Sequence, residues 1–390
     1  MKVDIIGGSI GGLTAALVLA HHGHDVQVFE RSPSELVQRG AGIGLLPETS
    51  RYLTDVAGCD PDSISTSTRF IRYLRRDDSV LHEEDHHYRF SSWNTIYRSL
   101  LGFLPVDRYC LDHEMVSWDD AGAGVTTHFA NGLSSSAELV VFADGVASTA
   151  RSRLLPGLSP RYAGYVAWRG MVPEADLPDD VSAVLDGAIT YHVYANSHIL
   201  VYPIPGPDGS TERGRRAVNY VWYRNYAEGG DLEDLMTDDG GSRREVSLPP
   251  GTASERHVAE MKAHALARLP RAVSWVVQAT DQPFVQVVYD LDIPRMVFGR
   301  TCLLGDAAFL GRPHAAAGTA KAADDAWSLA AALKSGNDLT AALADYEHTQ
   351  MEVGRGLVRR TERIGRRSQF DQDWEPGDPD LIFGLKGPGS

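Results

Sequence analysis

The sequence predicts an α/β chain in which a parallel, nucleotide-type sheet is interleaved with a mostly antiparallel sheet and closed by C-terminal helices. Three observations predict it. The chain opens with a short apolar strand, a glycine-rich turn, a helix and a second strand. Residues 162–226 alternate in runs rich in Tyr, Trp and Val, as strands of a second sheet do. A strand near residue 301 ends in Gly305-Asp306, far from the opening unit, and two long helical patterns follow it. A fold that joins that late strand to the opening unit interleaves its two domains.

In chain order, residues 1–6 read as a strand, 11–22 as a helix and 25–30 as a strand. Residues 45–57 and 95–104 read as helices. Between 114 and 142 the pattern alternates at period 2, and 116–118, 125–129 and 139–142 read as antiparallel strands. Residues 148–155 form a short helix with Ser148 as N-cap. The runs 162–172, 189–204 and 217–226 build the second sheet. Pro203, Pro205, Gly206 and Pro207 with Asp208-Gly209 turn between the last two. Residues 257–269 are an amphipathic helix, 285–289 and 301–304 return to strand, and 315–333 and 339–364 are long helices. Residues 369–390, with Pro376, Pro379 and Pro388, are expected as an extended tail. The expected division is one discontinuous nucleotide-binding domain (1–70, 96–160 and 283–368), a sheet domain (71–95 and 161–282) and the tail.

Composition narrows the function. With 390 residues and 43% hydrophobic content, the core can be large without disulfides or metals. A formal net charge of −15 argues against nucleic acid or an anionic membrane as partner, because either needs a basic face. Arg355, Arg359, Arg360, Arg363, Arg366 and Arg367 recur at helical spacing and read as a solvated helix face. Cys59, Cys110 and Cys302 are far apart and odd in number, so reduced thiols and a cytoplasmic location are expected. The apolar opening run is broken by Asp4 and four glycines, which argues against a targeting peptide, and no run reaches the roughly 18 residues of a membrane span. The histidines at 21, 22 and 24 lie at a helix end, and those at 82, 86 and 87 in a charged run. No metal is expected at either.

The first motif is Ile6-Gly7-Gly8-Ser9-Ile10-Gly11-Gly12-Leu13, with Glu30 closing the second strand. Gly7 allows the tight turn, and Gly12 allows helix and strand to pack closely. The helix N-terminus offers free N–H groups and a positive dipole end to a pyrophosphate, and Glu30 can accept from an adenosine ribose. This is a Rossmann-like dinucleotide signature. Ser9 replaces the middle glycine of G-x-G-x-x-G; it is small enough for close approach, and its hydroxyl can add a phosphate contact. Arg31 reads equally as an adenosine-phosphate contact or a surface salt bridge. The second motif, Phe142-Ala143-Asp144-Gly145-Val146-Ala147-Ser148-Thr149-Ala150-Arg151, is a strand end, a glycine turn and a helix start. The third is Leu304-Gly305-Asp306-Ala307-Ala308, followed by Arg312-Pro313-His314-Ala315-Ala316-Ala317-Gly318. Asp306, at a strand end, can accept from ligand hydroxyls. The small residues 315–318 let backbone N–H groups approach a ligand, and a positive helix end there would stabilise negative charge on it.

In this order and spacing, the three motifs resemble those of the group A flavoprotein aromatic hydroxylases, the para-hydroxybenzoate hydroxylase type, over residues 2–368. The resemblance is closest to their hydroxypyridine branch, which includes 2,6-dihydroxypyridine 3-hydroxylase and the piericidin-type pyridinol hydroxylases. That branch shares the Gly7-Gly8-Ser9-Ile10 turn, Tyr162-Ala163-Gly164-Tyr165-Val166 with Trp168-Arg169-Gly170, Tyr202-Pro203-Ile204-Pro205-Gly206, and the stretch from Arg312 to Gly318. The resemblance implies that Gly7 to Gly12 and Glu30 hold the ADP half of FAD. It implies that Asp144-Gly145 serves FAD and the nicotinamide nucleotide, and that Gly305-Asp306 with Pro313, Ala316, Ala317 and Gly318 hold the ribityl chain and ring. Where the family often has a cofactor-contacting arginine, this chain has Trp93-Asn94-Thr95-Ile96.

The implied reaction uses NADH or NADPH to reduce FAD. O2 then gives a C4a-hydroperoxide whose distal oxygen attacks an electron-rich ring carbon. A hydroxyl ortho or para to that carbon must be at least partly deprotonated, so a base or hydrogen-bond acceptor is useful. The candidates are His314 beside the flavin loop and Tyr223, with Tyr202 and Asn219 as further substrate contacts. On 217–226, Asn219, Val221 and Tyr223 share one face, and Tyr220, Trp222 and Arg224 the other. Sequence leaves open which face meets the flavin. The expected partners are a small aromatic substrate and O2, with a homodimer as the assembly considered. Rival readings are a phenol or polyketide hydroxylase, a halogenase, a reductase and a ligand sensor. A halogenase of this type needs a W-x-W-x-I-P stretch, which is absent, and a channel lysine; the lysines are 2, 262, 321, 334 and 386 only.

Overall fold

The computed structural model describes residues 1–36, 41–334 and 338–390. Its first sheet has six strands in the order Val297–Phe298, Thr301–Leu303, Leu139–Phe142, Lys2–Ile6, Asp25–Phe29 and Tyr109–Cys110. The late strand thus joins the opening unit, and the chain is interleaved as expected. All neighbours pair in parallel except the outermost, Val297–Phe298 with Thr301–Leu303. Leu139–Phe142 was expected to be antiparallel, and the structure corrects this: it runs parallel to Lys2–Ile6, with Val3 opposite Leu139 and Ile6 opposite Phe142. The reason is burial. Leu139, Val140, Val141 and Phe142 are all fully buried, so this is a continuous apolar run covered on both faces, not an alternating one. The antiparallel strands are Met115–Asp120, Val125–Phe129 and a third, Ser134–Ala137, which form a small separate sheet.

The second sheet has nine strands in the order Ser247–Leu248, Phe284–Asp290, Arg161–Pro173, Ala217–Asn225, Ser197–Ile204, Ala188–Tyr194, Thr66–Leu74, Val80–Ser92 and Gly42–Gly44. It is antiparallel except where Ala188–Tyr194 meets Thr66–Leu74. Three of its strands cross the expected domain boundaries. Gly42–Gly44 and the start of Thr66–Leu74 lie before residue 71, and Phe284–Asp290 lies after 282. The Val80–Ser92 strand carries the histidines at 82, 86 and 87.

The two faces of this sheet differ. Val166, Trp168, Ile199, Val201, Tyr220 and Trp222 point to one side, under the helices Glu255–Arg268 and Arg271–Ala279, the second of which the sequence reading did not name. Tyr165, Ala167, Tyr202, Val221 and Tyr223 point to the other, toward Ala316 and the C-terminal segment.

Two expectations for the C-terminal third need correction. The helix expected at 315–333 begins later, at Gly318, because Pro313–Ala315 forms a 3-10 turn and Ala316 is left-handed (φ 54°). The arginines of the long helix Leu339–Arg366 and the turn after it are not all solvated. Arg360 is buried and donates to the carbonyls of Gly384 (2.7 Å) and Ile382. Residues 369–390 accordingly are not an extended tail. They fold back, Phe383 stacks on Tyr88 (4.5 Å between ring centres), and Leu385 is buried. Among the described residues, no helix is long and apolar enough to cross a membrane.

Candidate active site

The glycine turn is built as its sequence requires. Gly7 has φ +108°, and a Cβ there would lie 2.3 Å from the Ala143 carbonyl oxygen. A Cβ on Gly12 would lie 1.9 Å from the Gly7 carbonyl oxygen. Both positions are closed to any side chain, whether or not the loop holds a ligand. Ser9 sits at the N-cap of the helix Ile10–His21, yet its hydroxyl caps no backbone N–H. It is left facing the cleft together with the helix N-terminus. Glu30 is buried at 6% exposure. Its Oε2 accepts from Gly8 N (2.8 Å) and its Oε1 from Ser32 N (2.9 Å). The Tyr109 hydroxyl, which the sequence reading did not single out, donates to Gly8 O (2.9 Å) and so fixes the turn from behind.

One cleft is lined by Gly7, Gly8, Ser9, Glu30 and Arg31 together with Asp144 and Gly145. The first two motifs therefore meet. Asp144 accepts from Ala150 N (3.0 Å) through Oδ2, but its Oδ1 is buried with no partner among the described residues. Burial pushes this carboxyl up, and hydrogen bonds from Ser148 and Ala150 pull it back in part. An orphan acceptor, a free helix N-terminus and a buried carboxylate are the groups that hydroxyls and a pyrophosphate need. The residues present thus fit the ADP half of a dinucleotide.

The third motif is tied to the second by Arg151. This buried guanidinium donates to the carbonyls of Val146 (2.5 Å), Ala307 (3.2 Å) and Asp306 (3.4 Å). It also meets the first: Gly11 packs against Ala322 and Leu304, where an added Cβ would find atoms at 3.1 and 3.4 Å. Gly305 (φ +63°) donates its N–H to Asp325 Oδ2 (2.8 Å), and Asp325 is paired with buried Lys321. That lysine is therefore committed to structure. Asp306 is exposed, yet the protein packed around its carboxyl raises it to about 6, against the pull of Arg151.

His314 leads into the second sheet. Its Nε2 lies 2.6 Å from the Tyr165 hydroxyl, and its ring centre is 4.6 Å from that of Tyr223. Its Nδ1 is buried with no partner among the described residues. Burial, then His198 and Arg312, hold its pKa well below the ordinary histidine value. Asn219 is fully buried; its Oδ1 accepts from Gly42 N (3.0 Å), while its Nδ2 has no acceptor in hydrogen-bonding geometry. Tyr202 stacks on Phe90 (4.2 Å), and burial, eased by Arg169 and Asn219, sets its hydroxyl at about 12. Burial also raises the Tyr223 hydroxyl. The face left open by the sequence is therefore assigned. Asn219, Tyr223 and Tyr202 point to the side that carries His314 and Gly42, and Tyr220 and Trp222 point to the helix-covered side.

Two elements of this face were missed. Arg169 donates to Gly42 O (3.3 Å) and keeps a buried Nε without partner. The strand Gly42–Gly44 approaches Ala316 so closely that a Cβ on Gly44 would lie 2.5 Å from the Ala316 Cβ. Its Gly-Ile-Gly run was the available signal. Among the described residues, no cluster of His, Cys, Asp and Glu could hold a metal.

The chain is similar to known proteins along nearly its whole length. Residues 5–34 match a family described as an NAD(P)-binding Rossmann-like domain, and residues 162–290 one described as FAD binding domain-like. The second span runs to the end of the strand Phe284–Asp290. The chain is 38% identical to 2,6-dihydroxypyridine 3-monooxygenase of Paenarthrobacter nicotinovorans, over 98% of this chain and 96% of that protein. It is 27% identical to 6-hydroxynicotinate 3-monooxygenase of Bordetella bronchiseptica, over 98% and 94%. The solved structure of 2,6-dihydroxypyridine-3-hydroxylase from Arthrobacter nicotinovorans superposes with a TM-score of 0.93 at 36% identity, covering 100% of this chain and 98% of that one.

Proposed function

The chain belongs to the single-component FAD-dependent aromatic-ring monooxygenases, and from that premise we propose that it hydroxylates an electron-rich hydroxypyridine, with NAD(P)H and O2 as co-substrates. The observation that carries the substrate class is the buried polar face formed by His314, Asn219, Tyr223 and Tyr202 beside residues 313–318. A ring bearing both nitrogen and oxygen matches its polarity better than an apolar polyketide does.

Bound FAD supplies the electron transfer from NAD(P)H to O2, by which one oxygen atom enters the ring and the other leaves as water. The chain does the rest. Gly8, Ser9 and the helix N-terminus behind them hold the pyrophosphate, Glu30 the ribose and Asp306 the ribityl hydroxyls. Arg31 lies exposed at the rim, in reach of the adenosine side. The amides of Ala316, Ala317 and Gly318 would hold the ring, since Gly318 opens a helix of 17 residues whose positive end would favour negative charge there. The discontinuous domain carries the cofactor and the second sheet the substrate. Tyr202, Asn219, Tyr223 and His314 orient the substrate and, with the folded-back C-terminal segment, keep water out. We infer that the enzyme works in the cytoplasm on a small aromatic, without nucleic acid or membrane, with a homodimer as the assembly considered.

The test is NAD(P)H oxidation by the FAD-loaded enzyme across hydroxypyridines and phenols, with products weighed. The reading requires a dihydroxypyridine to stimulate oxidation and gain one oxygen atom. Stimulation by phenols alone would move the substrate class and leave the family in place.

A further inference from the structure

We propose that His314 serves the reaction as a neutral hydrogen-bond donor through Nδ1–H, not as a base, and that Tyr165 and Arg312 are positioning residues that lock it in that tautomer. The inference deepens the reading above and rests on it for the identity of the ligand. Hydrogen positions follow here from the bonding network.

Asp290 is buried and takes both hydrogen bonds of a fork from Arg312, at 2.8 and 2.7 Å. That fixes the guanidinium, whose remaining Nη1 points at the Tyr165 oxygen at 3.5 Å, with its charge 5.5 Å from the centre of the ring. A guanidinium has donors and no acceptor, so the phenolic proton must point away from it. The acceptor in reach on the other side is His314 Nε2, at 2.6 Å. Tyr165 therefore donates, Nε2 accepts, and the imidazole proton is on Nδ1.

Direction follows from packing. A Cβ built on Gly365 of the long helix would lie 2.8 Å from Nε2 and 2.9 Å from Cδ2 of His314, so that ring edge faces the helix. The Nδ1 edge faces away from it, buried and unpartnered among the described residues. Two more donors on the same sheet face share that condition, Asn219 Nδ2, whose amide is oriented by Gly42, and Arg169 Nε. Three buried donors with no acceptor call for a ligand that brings acceptors. A hydroxypyridine bound as its oxyanion does so, and its proton is lost before or during entry, not to His314. The charged and titratable groups facing His314 are Tyr165, Tyr223, His198 and Arg312, with Glu362 of the long helix 3.8 Å behind Arg312. They oppose a second proton on the ring, in keeping with its depressed pKa.

Two measurements test this. Ring correlations of the FAD-loaded enzyme labelled with ¹⁵N-histidine, assigned by difference against a His314 variant, must give a protonated Nδ1 and a bare Nε2, with the preference lost in Tyr165→Phe. The opposite tautomer, or an unchanged spectrum in Tyr165→Phe, overturns the proposal and needs no substrate. Binding of 2,6-dihydroxypyridine supplies the second arm. His314→Asn places an amide N–H where Nδ1 was, and His314→Gln places it where Nε2 was. His314→Asn should bind within a few-fold of the parent, and His314→Gln should lose about tenfold or more, the scale of a buried hydrogen bond to an ionised group. Flavin content and melting temperature check that each variant folds. The reverse order of the two variants overturns the proposal. Failure of every hydroxypyridine to bind, with the tautomer as stated, would instead overturn the substrate reading.

Discussion

At the scale of the residue, steric closure and lone-pair accounting decide what each position tolerates. A Cβ at Gly12 would sit 1.9 Å from a backbone oxygen that cannot move without breaking the turn. We expect Gly12→Ala to be purified colourless and to stay so after incubation with FAD, as read by the flavin absorbance. Asp306 gives a signed pH effect. Its raised pKa means the apoprotein prefers it protonated, so its contribution to apoprotein stability is present below the ordinary aspartate range and is lost as pH rises through about 6. Over the same rise it becomes a full acceptor for ribityl hydroxyls. FAD affinity, measured by titration, should therefore increase from pH 5 to pH 7 in the parent and stay flat in Asp306→Asn. Sequence named Gly12 and Glu30 from local partners, since Gly12 closes on Gly7 and Glu30 bonds Gly8 and Ser32; His314 and Asn219, whose partners Tyr165 and Gly42 are distant, were reached through motif position, strand periodicity and the family resemblance. Arg151, Arg169 and Tyr165 take their meaning from partners more than a hundred residues away, at Ala307, Gly42 and His314, and no spacing rule reaches that far.

At the scale of the element, polar content separates the strand read correctly from the one misread, since both are buried on both faces. The Ala217–Asn225 strand carries polar side chains among its apolar ones, so period 2 sorted its faces and left open which one meets the cofactor. Leu139–Phe142 has no polar position, so its continuous run carried the parallel signal over the alternation assumed for it. The C-terminal segment was misread because its proline spacing described the chain and not what holds it. Arg360 holds it, through carbonyls at residues 380, 382 and 384. Removing that side chain strands those acceptors in a buried setting, at a cost of about 1–3 kcal/mol. Arg360→Ala should therefore melt a few degrees lower by calorimetry and bind substrate more weakly, because Phe383 and Trp374 pack on the sheet face proposed to hold substrate. An unchanged melting temperature would mean the segment is held elsewhere.

At the scale of the whole molecule, interleaving is what makes the site. The opening strand and helix, the turn after Phe142 and the segment from residue 304 to 318 each carry part of the proposed cofactor grip, and parallel pairing in one sheet brings their strands together. The second sheet then lays its polar face beside the last of these, where His314 and Ala316 belong to one domain by sequence and touch the other by packing. The most direct test is a crystal structure of the enzyme with FAD and 2,6-dihydroxypyridine. The account predicts the isoalloxazine edge against the backbone of residues 316–318, and a ring oxygen within hydrogen-bonding distance of His314 Nδ1 and Asn219 Nδ2. A ring ligand seated on the helix-covered face with Tyr220 and Trp222, or a flavin ring away from that turn, would contradict it.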